Sequence, residues 1–232
     1  MTMSRLTHHI SHQFDKELED IRSKVLAMGG LVEEHIHKVL ECFAKGDFDE
    51  AEYVAVNDFK VNALEVEIDD DCTEILLRRQ PAATDLRLVL SVSKTITDLE
   101  RIGDEAEKIA RLVLNLRGSG GISSYYMGML SMGHHVRRMV RAALDAFARM
   151  DSESAFRIAQ EDREIDAETD AIMRYLITYM MEDPRSITRV LDAVLSVRAF
   201  ERIGDHARNI CENVIYLVEG KDVRHVALEQ VE

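Results

Sequence analysis

The chain has 232 residues, a formal net charge of −14 and 46% hydrophobic residues. A chain of this length and hydrophobicity can bury a sizeable core, and its acidic excess argues against general nucleic-acid binding, which requires a basic surface. Because only 2 prolines and 11 glycines are present, turn-forming residues are too few for an all-β fold, and long helices are favoured.

Apolar periodicity divides the first half of the chain into three predicted helices. The first covers about Phe14 to Lys45, the second continues to about Arg79, and the third covers about Ala83 to Leu116. Asp47 is a suitable N-cap for the second helix, because its side chain can accept hydrogen bonds from the first turn. The sequence GSGG at 118–121 is the flexible break that follows.

The second half repeats the first. Segment 129–155 aligns without gaps with segment 25–51, and ERIGD occurs both at 100–104 and at 201–205. Helices are therefore predicted over Ser123–Met150, from the N-cap Asp151 to about Met181, and over Ser186–Val218. We expect an all-α fold of two tandem three-helix bundles, residues 1–118 and 119–232, related by an internal pseudo-twofold repeat.

In each half, one glycine interrupts the apolar face of the third helix. Apolar residues recur there with alternating three- and four-residue spacing, which buries one face against antiparallel neighbours. Gly103 and Gly204 lie on this face. Because a glycine inside a helix costs about 1 kcal/mol relative to alanine, we expect a neighbouring backbone or a bound group to approach closely at both positions.

Carboxylates also occupy positions where the pattern calls for apolar residues. Asp58 and Glu65 do so in the second helix, with Asn62 one turn from Asp58, and Asp162 does so in the second half, with Asp166 one turn away. Each ERIGD motif adds an acidic pair four residues apart on one helix face. The candidate metal-binding residues are Asp58, Asn62, Glu65, Glu100, Asp104, Asp162, Asp166, Glu201 and Asp205.

These acids suggest a carboxylate metal site in each half. All-oxygen ligation suits Mg²⁺, Mn²⁺, Ca²⁺ or iron, and bundle interiors commonly hold such sites. The ion cannot be named from the residues, and Mg, Mn, Fe and Zn stay open. The alternative is neutralisation by Arg101 and Arg202, which lie inside the two motifs.

Cysteine usage and the chain start predict the compartment. Cys42, Cys72 and Cys211 are far apart and form no CxxC motif, so neither a disulfide framework nor a cysteine-based zinc site is expected. The start, MTMSRLTHHISHQF, lacks the apolar stretch of a signal peptide, and charges interrupt every apolar segment before membrane-spanning length. We expect a soluble, cytoplasmic protein.

Two copies of a three-helix unit, each with ERIGD in its third helix, resemble the PhoU family of phosphate-signalling accessory proteins. The matching stretches lie at 78–111, 145–166 and 179–212, so the resemblance covers nearly the whole chain. It implies an α-helical two-bundle fold with pseudo-twofold symmetry and a homodimer.

The resemblance further implies metal-binding motifs of the form E/D-x-x-x-D. They map onto Glu100/Asp104, Glu201/Asp205 and Asp162/Asp166. The stretch from Asp58 to Asn62 departs from the motif, because an amide replaces the last acid, and Thr169 stands where the first half has Glu65. The two predicted sites therefore differ in which helix positions carry an acid, although each contains four acids.

The function implied by the resemblance is regulatory. Proteins of this family couple the state of the high-affinity phosphate ABC transporter to a sensor histidine kinase, and they restrain phosphate uptake when phosphate is plentiful. The resemblance implies contacts with the transporter ATPase, PstB, and with the sensor kinase, PhoR. It implies peripheral association with the membrane through these partners.

An oxidase of the ferritin-like type is the alternative. Such enzymes use Glu-x-x-His on two helices, whereas only Glu34–His37 fits here, without a second copy. No GxGxxG, Walker A or nucleophile-elbow motif is found in the sequence. An enzyme is therefore disfavoured.

One further asymmetry concerns charge. Glu33 and Glu34 in the first predicted helix align with Arg137 and Arg138 in the fourth. Similar backbones with opposite charges could pair across an interface, in dimerisation or in partner choice. The alternative is two unrelated solvated faces.

Overall fold

The computed structural model describes residues 12–117 and 126–224, and it confirms the all-α prediction. The predicted break at 118–121 and the predicted start at Ser123 lie outside the described residues. No helix in the described ranges is both long and apolar enough to cross a membrane. The helices are α1 (His12–Lys45), α2 (Phe48–Asn57), α3 (Phe59–Arg79), α4 (Ala83–Leu114), α5 (Tyr126–Arg149), α6 (Ser152–Glu182) and α7 (Ile187–Glu219), with a 3₁₀ turn over Pro184–Ser186 before α7.

The second helix of the first half is divided at Asp58 into α2 and α3. Asp58 keeps helical backbone angles, φ −60 and ψ −29. The N–H of Val61 nevertheless donates to the Asp58 carbonyl at 2.8 Å, which is a tighter i→i+3 bond than the α-helical pattern. The corresponding helix of the second half, α6, runs through the equivalent position, Asp162, as a single element.

Both predicted N-caps are confirmed. The Asp47 side chain accepts a hydrogen bond from the Asp49 N–H at 3.1 Å. The Asp151 side chain accepts one from the Ser154 N–H at 3.0 Å. This backbone hydrogen bond lowers the pKa of Asp151. Each aspartate satisfies an N–H group of the first turn and so fixes where its helix begins.

The two halves share one hydrophobic core within the described residues. Helix α4 packs against α7, and α1 packs against α5. Two contacts show that α4 and α7 run in opposite directions: Arg87 donates to the Leu217 carbonyl at 3.3 Å, and Ser91 donates to the Asn213 carbonyl at 3.3 Å. The repeats therefore form a single packed unit in which α4 and α7 lie at the junction.

The crossing of α1 and α5 shows the pseudo-twofold relation most directly. A Cβ atom added at Gly29 would lie 2.5 Å from Leu144 Cδ2, and one added at Gly133 would overlap Leu40 in the same way. Gly29 and Gly133 occupy equivalent positions in the repeat, as do Leu40 and Leu144. Each half thus inserts a leucine over the glycine of the other, and the absent side chains allow close approach.

One of the two opposite-charge pairs on α1 and α5, Glu33 with Arg137, forms inside the chain. Arg137 Nη2 lies 3.0 Å from Glu33 Oε1, so this contact links the two halves. Glu34 lies 3.8 Å from Lys38, one turn along the same helix. The Glu33–Arg137 pair therefore joins the two halves of the chain, and a role of Glu34 and Arg138 in dimerisation or partner choice stays a prediction.

Candidate functional site

The buried carboxylate of each half lies against the glycine of an ERIGD motif. A Cβ atom added at Gly103 would lie 3.0 Å from Asp58 Oδ1, and one added at Gly204 would lie 3.6 Å from Asp162 Oδ1. The close approach predicted at both glycines is confirmed, although at Gly204 the nearest atom is Ile165 Cδ1, at 3.0 Å from the added Cβ. The approaching groups are side chains of the neighbouring helix, where a backbone or a bound group was expected.

In the first bundle, Asp58 is only 5% exposed. Its Oδ1 atom has no hydrogen-bond partner within the described chain, and the Nδ1 of His35 lies 3.9 Å away. Burial, followed by the negative charges of Glu107, Asp104 and Glu100, raises the pKa of Asp58 to about 6. His35 is itself fully buried, and burial lowers its pKa. The bundle thus holds a carboxylate whose charge is poorly compensated.

The acidic pair of the first ERIGD motif borders Asp58. Burial, together with the neighbouring charge of Asp104, raises the pKa of Glu100. Glu100 Oε2 lacks a hydrogen-bond partner among the described atoms, and Arg101 Nε lies 3.4 Å away. Arg101 Nη1 is 3.5 Å from Asp104 Oδ2, and the Arg101 side chain is 58% exposed. Such long, exposed contacts neutralise the pair weakly.

The remaining first-bundle candidates lie on α3. Glu65 is half-buried, and burial raises its pKa while a hydrogen bond with Thr97 lowers it. Asn62 is exposed to solvent. The α3–α4 interface therefore brings Asp58 and Glu65 towards the ERIGD acids, whereas Asn62 lies at the surface.

In the second bundle, Asp162 has a charged partner. Arg208 Nη1 donates to Asp162 Oδ2 at 2.6 Å, and Arg208 Nε lies 3.5 Å from Glu212 Oε1. Burial raises the pKa of Asp162, and the guanidinium opposes that shift. Asp166, one turn along α6, is exposed. The buried carboxylate of the second bundle, Asp162, is thus compensated by a guanidinium, whereas the buried carboxylate of the first bundle, Asp58, is not.

The acids of the second ERIGD motif also have basic neighbours. Glu201 accepts a hydrogen bond from Arg198 at 2.7 Å. Burial raises the pKa of Asp205, and the charge of Arg208 opposes it. Arg202 donates to Glu105 of α4 at 2.9 Å, so its hydrogen bond links the two halves and does not go to an acid of its own ERIGD motif.

These arrangements decide how well each set could hold a cation. Among the described residues, no group of three or more His, Cys, Asp and Glu side chains is arranged to hold a metal ion as it stands. The first bundle nevertheless offers buried oxygens without a hydrogen-bond partner on Asp58 and Glu100, and carboxylate oxygens are the donors a hard cation prefers. The predicted metal sites stay predictions, and the first bundle is the better fit.

Glu34 and His37, the single Glu-x-x-His match, each lie near a basic side chain. Glu34 lies near Lys38, at 3.8 Å. The Nδ1 of His37 lies 3.3 Å from Arg137 Nη1. Both side chains therefore belong to the charged contacts of the α1 surface.

A carboxylate at the junction of the halves was not predicted. Asp98 Oδ1 accepts hydrogen bonds from His206 at 2.9 Å and from Asn209 at 3.1 Å, and Asp98 Oδ2 accepts one from Asn213 at 3.3 Å. These bonds hold α4 to α7. The sequence gives no signal for them, because Ala199 stands at the position equivalent to Asp98.

A sequence signal did exist for Arg208. Aligning the two ERIGD motifs places Arg208 opposite Glu107 and Glu212 opposite Arg111. The same kind of comparison places Met139 opposite His35. Differences between the repeats, more than their similarity, mark the residues around the buried carboxylates.

Comparison with known proteins follows the repeat. A sequence model described as the PhoU domain matches residues 25–113 and again residues 129–214. The chain is 53% identical over 226 residues to a phosphate-specific transport system accessory protein PhoU homolog of Pseudomonas putida, covering 97% of this chain and 88% of that protein. It is 46% identical over 232 residues to the phosphate-specific transport system accessory protein PhoU of Escherichia coli K12, covering 100% and 96%.

Solved structures agree with these matches. The crystal structure of PhoU from Pseudomonas aeruginosa has a TM-score of 0.87 at 50% identity and covers 90% of this chain and 100% of that chain. That of the phosphate transport system regulatory protein PhoU from Streptococcus pneumoniae has a TM-score of 0.83 at 32% identity and covers 91% and 99%.

Proposed function

The chain belongs to the PhoU family, and we propose that it is a negative regulator that relays the state of the phosphate ABC transporter to a sensor histidine kinase. The relatives are named as accessory and regulatory proteins, which supports a protein that acts by binding others and catalyses no reaction. In this proposal the chain works as a cytoplasmic homodimer and contacts the transporter ATPase, PstB, and the kinase, PhoR.

The observation that carries the proposal is an exposed apolar surface on α2 and α3. Val56, Phe59 and Val66 are 65%, 62% and 61% exposed. Their spacing places them on one side of the continuous helical path. Segment 47–74 around them carries eleven acids and one lysine. The equivalent positions of α6 hold Gln160, Arg163 and Asp170. The surface is therefore specific to the first half.

Exposed apolar side chains within a strongly charged surface are typical of a site that binds another protein. Surrounding acids require a partner whose apolar anchors lie within a basic surface, since complementary charge steers association and excludes other partners. We assign this α2–α3 surface to the transporter ATPase, PstB. The kinase contact then lies elsewhere on the chain, so that one protein can bind both.

The test combines binding with signalling. Phe59→Glu with Val66→Glu is expected to weaken binding to purified PstB by about tenfold or more, because buried apolar anchors dominate such interfaces. In cells with ample phosphate, a phosphate-starvation reporter is expected to switch on. Ile177→Glu, an exposed apolar position on α6, is the matched control and is expected to keep both properties. Unchanged PstB affinity in the double variant would contradict the assignment.

Cation binding in the first bundle is the second part of the proposal. Asp58, Glu65, Glu100 and Asp104 would supply oxygen ligands to Mg, Mn, Fe or Zn ions after rotation of their side chains. The support is that one buried oxygen of Asp58 and one of Glu100 lack a hydrogen-bond partner within the described residues. A bound cation would remove the repulsion among these acids and tie α3 to α4.

Metal analysis tests this part. Glu100→Gln with Asp104→Asn is expected to remove most of the metal that inductively coupled plasma mass spectrometry finds on the purified chain. Asp70→Asn, an exposed acid on the same bundle, is the control and is expected to retain it. A metal content that does not change in the double variant would rule out this site.

A further inference from the structure

The charges around the two buried carboxylates are inverted between the repeats. Arg208 occupies the position equivalent to Glu107, and Glu212 occupies the position equivalent to Arg111. In the first bundle, Arg111 turns to Glu107 on its own helix, with Nη2 2.5 Å from Oε1. In the second, Arg208 reaches across to the neighbouring helix. The residues at equivalent positions therefore bring opposite charges to the two buried carboxylates: Glu107 near Asp58 and Arg208 near Asp162.

The second bundle has a built-in cation at its buried carboxylate. Arg208 Nη1 lies 2.6 Å from Asp162 Oδ2 and Nε lies 3.5 Å from Glu212. A guanidinium keeps its proton at every physiological pH, and its charge-assisted hydrogen bonds are short and directional. Asp162 therefore carries a permanent counter-charge. Asp58, by contrast, has an oxygen without a hydrogen-bond partner in the described chain.

We infer that Arg208 takes the place of a metal ion in the second bundle, so that the two repeats are not equivalent cation sites. The inference rests on the cation binding proposed for the first bundle. A divalent ion near Asp162 would have to displace the guanidinium or lie beside it, and like charges at such separations repel. Asp205 and Glu201 then serve as counter-charges for arginines, Arg208 and Arg198.

Manganese counting on the full chain tests the inference. The protein is stripped with chelator, loaded with Mn²⁺ alone and desalted, and bound Mn²⁺ is counted by mass spectrometry and by the loss of its solution EPR signal. The double variant Glu201→Gln with Asp205→Asn, which keeps Arg208, is expected to bind as much Mn²⁺ as the wild type. Arg208→Gln is expected to add Mn²⁺ in an amount comparable to that removed by Glu100→Gln with Asp104→Asn. Arg208→Lys, which keeps the charge, is expected to add none.

A reciprocal variant guards against misfolding of Arg208→Gln. Glu107→Arg with Arg111→Glu transplants the second-bundle charges into the first and alters none of the proposed ligands. It is expected to lower bound Mn²⁺ while the thermal unfolding transition by circular dichroism is retained. Equal loss of Mn²⁺ from the Glu100/Asp104 and Glu201/Asp205 double variants would overturn the inference, as would unchanged Mn²⁺ in Arg208→Gln.

The two proposals fail separately. A wild type without Mn²⁺ refutes cation binding in the first bundle. If Arg208→Gln then binds Mn²⁺, and loses it when Glu201 and Asp205 are also replaced, the role of Arg208 is upheld. If it binds none, both proposals are refuted.

Discussion

Replacing Asp58 with asparagine is expected to stabilise the metal-free chain at pH 8 by about 2–3 kcal/mol. Burial and neighbouring acids raise the pKa of Asp58 from its ordinary value of 3.8 to about 6. The folded state therefore holds this proton more tightly than the unfolded state. One pKa unit corresponds to about 1.4 kcal/mol, so stability falls by about 3 kcal/mol as the pH rises from 4 to above 6. An amide of the same shape carries no charge and escapes this loss.

Urea denaturation in the presence of chelator measures the effect. At pH 4 the wild type and Asp58→Asn are expected to differ little, because Asp58 is largely protonated in the folded state. At pH 8 the difference in the free energy of unfolding between the two proteins is expected to reach its full value. A gain of equal size at both pH values would show that ionisation is not its cause.

The equivalent change in the second bundle is the matched control. Asp162→Asn removes a charge that Arg208 already compensates at 2.6 Å. It is expected to give a clearly smaller gain at pH 8, or a loss, because the guanidinium would lose its partner. Equal gains at the two positions would contradict the difference between the bundles.

Local and periodic signals were sufficient for most of the fold. The first predicted helix ends at Lys45, as expected, and the helix predicted to end near Met181 ends at Glu182. Caps and breakers define these ends because they act within one turn. The division at Asp58 was not predicted, since apolar periodicity continues through it, and burial alone does not explain it, because α6 runs undivided through the equally buried Asp162.

The site was predictable only in part, for a similar reason. Acids at apolar positions correctly marked Asp58 and Asp162 as buried. Their compensation depends on which side chain reaches across from α4 or α7, and helix periodicity carries no information on that. Arg208 would have been found by comparing charges between the repeats. The same comparison could not have identified Asp98, which joins α4 to α7, because the equivalent position of α7 holds the uncharged Ala199.

The close crossing of α1 and α5 gives a prediction on two adjacent glycines. Gly29→Ala is expected to lower the free energy of unfolding by about 2 kcal/mol. Its Cβ would lie 2.5 and 2.7 Å from the two Cδ atoms of Leu144, and overpacking of a well-filled core costs about 1–3 kcal/mol. Gly30→Ala is the matched control, because Gly30 is exposed and no described atom lies within 4 Å of its added Cβ. It is expected to gain about 0.5–1 kcal/mol from helix propensity.

A double variant locates the cause of the loss. Leu144→Ala alone leaves a cavity at the crossing and is expected to destabilise the chain by about 2–3 kcal/mol. In the double variant with Gly29→Ala, the new methyl group fills part of that cavity. The loss of stability in the double variant is therefore expected to be smaller than the sum of the losses in the two single variants. Strict additivity would mean that Gly29 and Leu144 do not meet. Because Gly133 and Leu40 form the same contact from the other half, the result also tests whether close packing at this crossing joins the two repeats.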